Sequence, residues 1–337
     1  MQQTAHVTPE LFWDTMVAFQ RSAVLKTAVE LEIFTHIGKG AKTSSAIAEA
    51  AGASERGVRI LCDSLTVMGF LKKEGLEYSL TDSTATFLDK SSQAYLGSAV
   101  EFILSPQQKR GFDDLTGAVR RGGSAITGEA SMDPNSEMWV TFARAMMPLM
   151  FPTAQAVAGH VGIDTERELK VLDIAAGHGI YGIAVAQKYP KAEVYGADWG
   201  NVLTVAEENA AKFGVADRYH TIPGNAFETD FGNGYDVILV PNFLHHFAAS
   251  ECETFLRKLH SSLADNGKVI TVEFVPNEDR ISPPPEAMFS LVMLAATPAG
   301  DAYTFAELKM MFENSGFSPN ELVALEPMPQ HLVISAN

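Results

Sequence analysis

The sequence predicts an α/β fold: a doubly wound, mostly parallel sheet over residues 166–337, finished by a C-terminal antiparallel hairpin and preceded by a mainly helical N-terminal half. Three observations carry that prediction. From Glu168 on, short apolar runs alternate with amphipathic segments of helical length, the rhythm of strand–helix–strand units. The first of those runs opens into a glycine-rich turn, Gly177-His178-Gly179-Ile180-Tyr181-Gly182. Before about residue 165 the apolar spacing is helical almost throughout.

The N-terminal elements follow in order. Leu11, Phe12, Met16 and Phe19 share roughly one helical face, and Val24, Leu25, Ala28, Leu31 and Ile33 continue the buried pattern. Thr43-Ser44-Ser45 caps a short helix that Gly52 stops. Ser54 caps the next, with Val58, Leu61, Leu65 and Met68 on one side. FLKKEGLEYSLT then reads as two short strands around a Glu74-Gly75 turn. Helix, turn, helix and hairpin make a winged helix. Residues 39–90 carry seven basic and seven acidic side chains, and Glu55 and Asp63 sit beside Arg56 and Arg59. The module therefore lacks the basic footprint that nucleic acid demands, and packing or dimerisation is its expected use. Leu11, Phe12, Phe19, Leu31 and Phe34 offer more apolar surface than so small a module covers, which predicts a homodimer. The expected organisation is a winged-helix dimerisation domain over 1–100, a helical linker and pocket wall over 101–165, and the sheet domain over 166–337. Loops in the linker are expected at Arg121-Gly122-Gly123 and Asp133-Pro134-Asn135.

Composition narrows the function classes. The chain has 337 residues, with 25 Lys plus Arg against 41 Asp plus Glu, for a formal charge of −16. Such acidity repels nucleic acid and anionic membranes. Apolar residues make up 46% and charged residues 20%, the balance of a globular protein rather than a disordered one. Cys62 and Cys252 form no CxxC, so neither a disulfide framework nor a thiolate metal site is expected. No signal peptide is readable and no apolar run reaches bilayer length, so the expected location is the cytoplasm.

In the C-terminal half LKVLDIA and AEVYGAD read as strands, DRYHTIPGNAF, YDVILVPN and GKVITVEFV continue the alternation with helices between, and LVALEP and HLVISAN make a final strand pair. Gly177, Gly179 and Gly182 fit the GxGxxG of a Rossmann-like dinucleotide site. Asp173, four residues before the first glycine, argues against a pyrophosphate, which would meet an uncompensated carboxylate. A ligand carrying an ammonium and a sulfonium is favoured instead. Asp198, at the end of the second strand, suits two ribose hydroxyls; a helix-capping role is its alternative.

The series VLDIAAGHG, GAD, PGNAF and YDVILVPNFLHHF resembles the class I S-adenosylmethionine-dependent methyltransferases. More narrowly, nearly the whole chain is similar to the two-domain small-molecule O-methyltransferases. The resemblance implies S-adenosyl-L-methionine as cofactor, with Asp173, Gly177 and Gly179 at its methionine end. It puts Asp198 on the ribose, Trp199 beside the adenine, and Asn225, Ala226 and Phe227 around the adenine ring. Turn chemistry for Asn225 and ordinary core for Phe227 are the plainer alternatives. Three departures stand out: Ala175 where the family usually has glycine, Asn225 where it often has Asp, and Pro241 where many members have Lys.

The resemblance makes His245 the general base and Glu273 the carboxylate beside it, with His246 as rival. A tandem His pair could start a metal site, but no third ligand follows, so no metal is expected. The family's second flanking Glu falls at Ala302, next to Asp301. His178 and His260 are expected to be hydrogen-bonded or solvated rather than catalytic. The stretch MWVTFARAMMPLMF is either plain core or a deformable pocket wall. In the latter reading Phe102, Phe142, Met146, Met150, Phe289 and Met293 enclose an apolar, aromatic acceptor. The function implied is O-methylation of a phenolic or enolic small molecule in secondary metabolism. The alternatives are C- or N-methylation on the same scaffold, or a non-catalytic cofactor-binding regulator.

Overall fold

A computed structural model of the chain describes residues 8–125 and 136–337. The expected Asp133-Pro134-Asn135 loop lies outside the described residues. The chain divides into two compact units, one running to Leu104 and one starting at Ser105.

The N-terminal unit contains α1 (Glu10–Glu30), α2 (Ile33–Gly38), α3 (Ser44–Ala51), α4 (Glu55–Val67), β1 (Leu71–Glu74), β2 (Glu77–Leu80), α5 (Asp82–Phe87) and α6 (Ala99–Ile103). Thr43 Oγ1 accepts from Ala46 N at 3.3 Å and Ser54 Oγ from Gly57 N at 3.1 Å, so both helices of the expected winged helix start on their predicted caps. β1 and β2 pair antiparallel, with Leu71 opposite Leu80. Ile33, Phe34, Ile47, Val58, Cys62, Leu65 and Tyr78 form the unit's core. Phe34 is therefore not surplus surface, as the sequence had suggested. It turns inward because α1 ends at Glu30 and α2 starts in a new direction after Glu32, whose φ is +51°. The uncovered apolar groups sit earlier, on α1: Leu11 is 81%, Phe12 60% and Phe19 69% exposed. Asp63 on α4 gathers Arg59, Lys73 and the Tyr78 hydroxyl at 2.9, 2.5 and 2.8 Å.

The C-terminal unit opens with α7 (Pro106–Asp113), α8 (Leu115–Arg121) and α9 (Glu137–His160). There follow β3 (Leu169–Ile174), α10 (Ile180–Lys188), β4 (Ala192–Asp198), α11 (Gly200–Lys212), β5 (Tyr219–Pro223), β6 (Tyr235–Pro241), α12 (Ala249–Ser262) and β7 (Leu263–Glu273). The chain closes with α13 (Pro284–Ala296), α14 (Phe305–Glu313), β8 (Asn320–Ala324) and β9 (His331–Ala336). The strands form one seven-stranded sheet in the order β5-β4-β3-β6-β7-β9-β8. All neighbours run parallel except β9, which is antiparallel to both β7 and β8. β3 and β6 are buried nearly along their whole length, as parallel strands covered on both faces must be. The chain winds outward to one side through β4 and β5, then returns to the other side through β6. The crevice at the β3/β6 reversal, beyond the strands' carboxyl ends, is where an open sheet of this kind takes its ligands. Among the described residues no helix is long and apolar enough to cross a membrane.

Candidate active site

The turn after β3 is held in left-handed steps: Ala175 at φ +49°, Gly177 at +57° and Gly179 at +72°. At Gly177 a Cβ would find room, its nearest neighbour lying 3.7 Å away, so the backbone angle alone asks for glycine there. At Gly182 the reason is space: a Cβ would fall 2.6 Å from Val194 Cγ1 and 2.9 Å from Asp173 Oδ2. The bare glycine lets α10 close onto the sheet.

Two carboxylates and an imidazole tie this turn down. Asp173 Oδ2 accepts from Gly182 N at 2.9 Å, and His178 Nδ1 accepts from Ile180 N at 3.2 Å. Asp198 accepts from Gly177 N at 2.8 Å and from Trp199 N at 2.7 Å, one on each oxygen. It braces the glycine turn, while Trp199 occupies the cap position of α11. The N-terminal donors of α10 that a phosphate would use are thus partly taken by the protein's own side chains. Asp173 is fully buried, and its Oδ1 has no hydrogen-bond partner among the described residues. Burial raises its carboxyl to about 8 and that of Asp198 to about 6. An orphaned acceptor inside a glycine turn suits a cationic ligand group and opposes an anionic one. Burial also lowers His178 to about 4, so this imidazole stays neutral.

The other expected cofactor residues lie nearby. Trp199 packs with Trp139, Val140, Ala143, Val202 and Val205. Asn225, just beyond β5, turns its Oδ1 to Phe227 N at 3.0 Å, the short-range turn bond considered as its alternative. That oxygen retains a second lone pair. The Phe227 ring joins Phe243, Phe247 and Phe255, and Ala226 packs against the same core.

At the ends of β6 and β7 the chain builds a second arrangement. His245 lies in a 3-10 turn, Leu244–His246, and is buried. Its Nδ1 is hydrogen-bonded to Glu273 Oε2. Glu273 Oε1 accepts from Leu244 N at 2.9 Å and from His245 N at 3.4 Å, locking the turn that carries the imidazole. With Nδ1–H donated to the carboxylate, Nε2 keeps its lone pair. His246 faces elsewhere: its ring stands edge-on to Trp139 at 5.5 Å, and burial holds it well below the ordinary imidazole range. Asp301, the neighbour of the family's second acidic position, is paired with Arg280 at 3.2 Å.

The expected pocket residues separate into groups. Phe289 sets its ring edge-on to His245 at 4.9 Å and stacks on Phe274 at 4.0 Å. Phe142 stacks on His178 and reaches within 3.9 Å of a Cβ placed at Gly177, so it lies over the glycine turn. Met146, Met150 and Met293 are buried. Phe102 belongs to the N-terminal unit, on α6. Sequence reading missed a polar chain that joins two helices and two loops. Thr153 Oγ1 donates to Gln330 Oε1 at 3.0 Å, Gln330 Nε2 to Asn242 Oδ1 at 3.1 Å, and Asn242 Nδ2 to Tyr181 Oη at 3.3 Å. Asn242, adjoining the FLHHF segment and standing at φ +53°, was the one member with a local signal.

Comparison with known proteins gives the family of the chain. The family model for the O-methyltransferase domain matches residues 141–318, and the model for the O-methyltransferase dimerisation domain matches residues 13–90. The chain is 24% identical over 316 residues to 3-hydroxy-5-methyl-1-naphthoate 3-O-methyltransferase of Streptomyces sahachiroi, covering 92% of this chain and 90% of that one. A crystal structure from Nostoc punctiforme, described as a candidate O-methyltransferase, is 51% identical, covers 99% of this chain and 100% of that one, and superposes with a TM-score of 0.94. Human N-acetylserotonin methyltransferase, solved with S-adenosylmethionine, shares the fold at a TM-score of 0.86 and 20% identity, over 100% of this chain and 99% of that one. The chain belongs to the O-methyltransferase family and is an enzyme that takes its methyl group from S-adenosylmethionine.

Proposed function

We propose that the methyl acceptor is a phenolic or enolic hydroxyl of a small molecule of secondary metabolism, and that His245 is the base that takes its proton. The observation that carries this reading is the Glu273 contact on His245 Nδ1, which leaves Nε2 as the proton-accepting atom. The naphthoate relative is named for transfer to a ring hydroxyl, which fits the same class.

When bound, S-adenosylmethionine would supply an electrophilic methyl group, its sulfonium–carbon bond breaking so that it leaves as the neutral thioether S-adenosylhomocysteine. Asp173, Gly177, Gly179, Asp198 and Trp199 are the residues to hold it, with Asn225, Ala226 and Phe227 at the adenine. What remains for the protein is to align the acceptor oxygen and make it nucleophilic. Between an ordinary phenol and an ordinary imidazole, proton transfer ahead of bond formation is uphill by about 5 kcal/mol. The proton therefore moves to Nε2 as the oxygen–carbon bond forms, while Glu273 stabilises the resulting imidazolium. Phe289 fixes the ring's outer face. The same reading makes the enzyme a homodimer through the exposed apolar groups of α1, and light scattering at micromolar concentration should give twice the chain mass.

The test is transfer of labelled methyl to a panel of naphthols and other phenols, with product position read by mass spectrometry. His245→Ala should lower kcat by about 10²–10⁴-fold with cofactor affinity nearly intact. Methylation at carbon or nitrogen, or an unaffected His245→Ala enzyme, would overturn the proposal.

A further inference from the structure

α13 runs PPEAMFSLVMLAA, and the only ionisable residue in it is buried. Glu286 is 5% exposed, and its Oε2 is closed off from solvent without a hydrogen-bond partner among the described residues. It precedes Phe289 by one helical turn, so its carboxylate leaves the helix on the side of the ring that packs on His245.

A second unanswered group comes from the sheet. His331 opens β9 directly opposite Glu273 in the β7–β9 register, and residues opposite one another in an antiparallel pair project from the same face. His331 Nδ1 is also buried, with no hydrogen-bond partner among the described residues. The Glu286 carboxylate is near enough to act on the proton affinity of this imidazole, opposing the effect of burial. The His245–Glu273 pair is thus flanked by a buried acceptor and a buried ring nitrogen that its own chemistry does not use. Buried polar groups left without partners are costly, and a site that takes a ligand is one place where they persist.

Resting on the reading of a hydroxyl acceptor at His245, we propose that Glu286 and His331 form a subsite for a second hydroxyl of the acceptor. That hydroxyl donates to Glu286 Oε2 and accepts from His331 Nδ1–H. The acceptor class is then a dihydroxylated aromatic, and the subsite selects which hydroxyl is methylated by holding the other.

The experiment compares 1- and 2-naphthol with a set of dihydroxynaphthalene isomers, using the full-length enzyme and S-adenosylmethionine. In the parent enzyme the best diol should show a KM about 10–100-fold below its monohydroxy counterpart. Glu286→Ala should erase that gap by raising the diol KM, with kcat for both probes within about threefold. Glu286→Gln, which keeps an acceptor oxygen, should fall between. Unchanged binding of S-adenosylhomocysteine certifies the fold, and if the Ala variant does not fold the Gln variant decides. An unchanged diol-to-naphthol ratio in the variants, or a parallel loss of kcat on both probes, overturns the subsite. Equal KM values for diol and naphthol in the parent overturn it too, while leaving the hydroxyl-acceptor reading intact. If the parent methylates none of these probes, the underlying reading falls first and the subsite with it.

Discussion

The two halves of the sheet's carboxyl edge spend their acids differently. At β3, Asp173 uses one oxygen on Gly182 N while its Oδ1 has no partner among the described residues, and at β4 Asp198 uses one oxygen each on Gly177 N and Trp199 N. At β7, Glu273 uses both oxygens within the chain, on two backbone N–H groups and the His245 imidazole. Asp173, with unspent capacity, is built for a ligand; Asp198 braces the glycine turn that the ligand meets, and Glu273, saturated by its own chain, aims a neighbour. Changes on the β3–β4 side should therefore appear in cofactor affinity, and changes on the β7 side in rate.

The sharpest way to break that contrast is Glu273→Ala. It frees His245 Nδ1 and unlocks the 3-10 turn, so kcat should fall about 10²–10³-fold with little change in cofactor binding. An equal loss of cofactor affinity, measured by calorimetry, would erase the distinction. Next is Asp198→Ala, which removes a charged acceptor and the brace on Gly177, and should weaken S-adenosylmethionine by roughly 2–3 kcal/mol. A rate defect at saturating cofactor without an affinity defect would reverse the assignment.

Asp173 sharpens the contrast through pH. Its carboxyl is raised from 3.8 to about 8, so the folded chain binds a proton that the unfolded chain releases. The free protein should then lose stability from this group as pH rises between about 4 and about 8. A cationic ligand favours the ionised form, so binding should expel the proton and tighten by roughly tenfold as pH approaches 8 from below. Asp173→Asn should flatten both profiles, and calorimetry in buffers of different ionisation heat reads the proton directly. The smallest effect is expected at Ala175. Glycine there relieves the cost of φ +49°, offset by greater freedom in the unfolded chain, for a gain of about 0.5–1 kcal/mol in a thermal melt.

The alternation of strands and helices was legible because parallel strands buried on both faces must be apolar throughout, and Gly and Pro punctuate them. The positions of the glycine turn, Asp173 and Asp198 were legible because each sits at a strand end beside a local motif, while His245 stood out only through the resemblance that the FLHHF segment carries. The Thr153–Gln330–Asn242 chain was not. Gln330 and Asn242 stand 88 residues apart, and no periodicity records a hydrogen bond across such a separation. Phe34 was misjudged for a related reason: a break between two helices reassigns a face, and the break rests on one left-handed residue, Glu32. Glu286 was visible as an acid in an apolar run, but nothing local links it to His331, which the pairing of β9 with β7 sets opposite Glu273.

The reversal of β9 also bears on how such an enzyme can change. Because β8 runs with the parallel strands and β9 against them, the connection between them, residues 325–330, lies at the same edge as the ends of β6 and β7. It delivers Gln330 and His331 there without threading a crossover through the core. On the proposed reading, insertions or deletions in that connection would reshape the acceptor side of the site, while the register from Leu332 onward is set by its own pairing with β7 and β8. A library confined to residues 325–330 thus varies this edge without altering the strands that pair on either side of it.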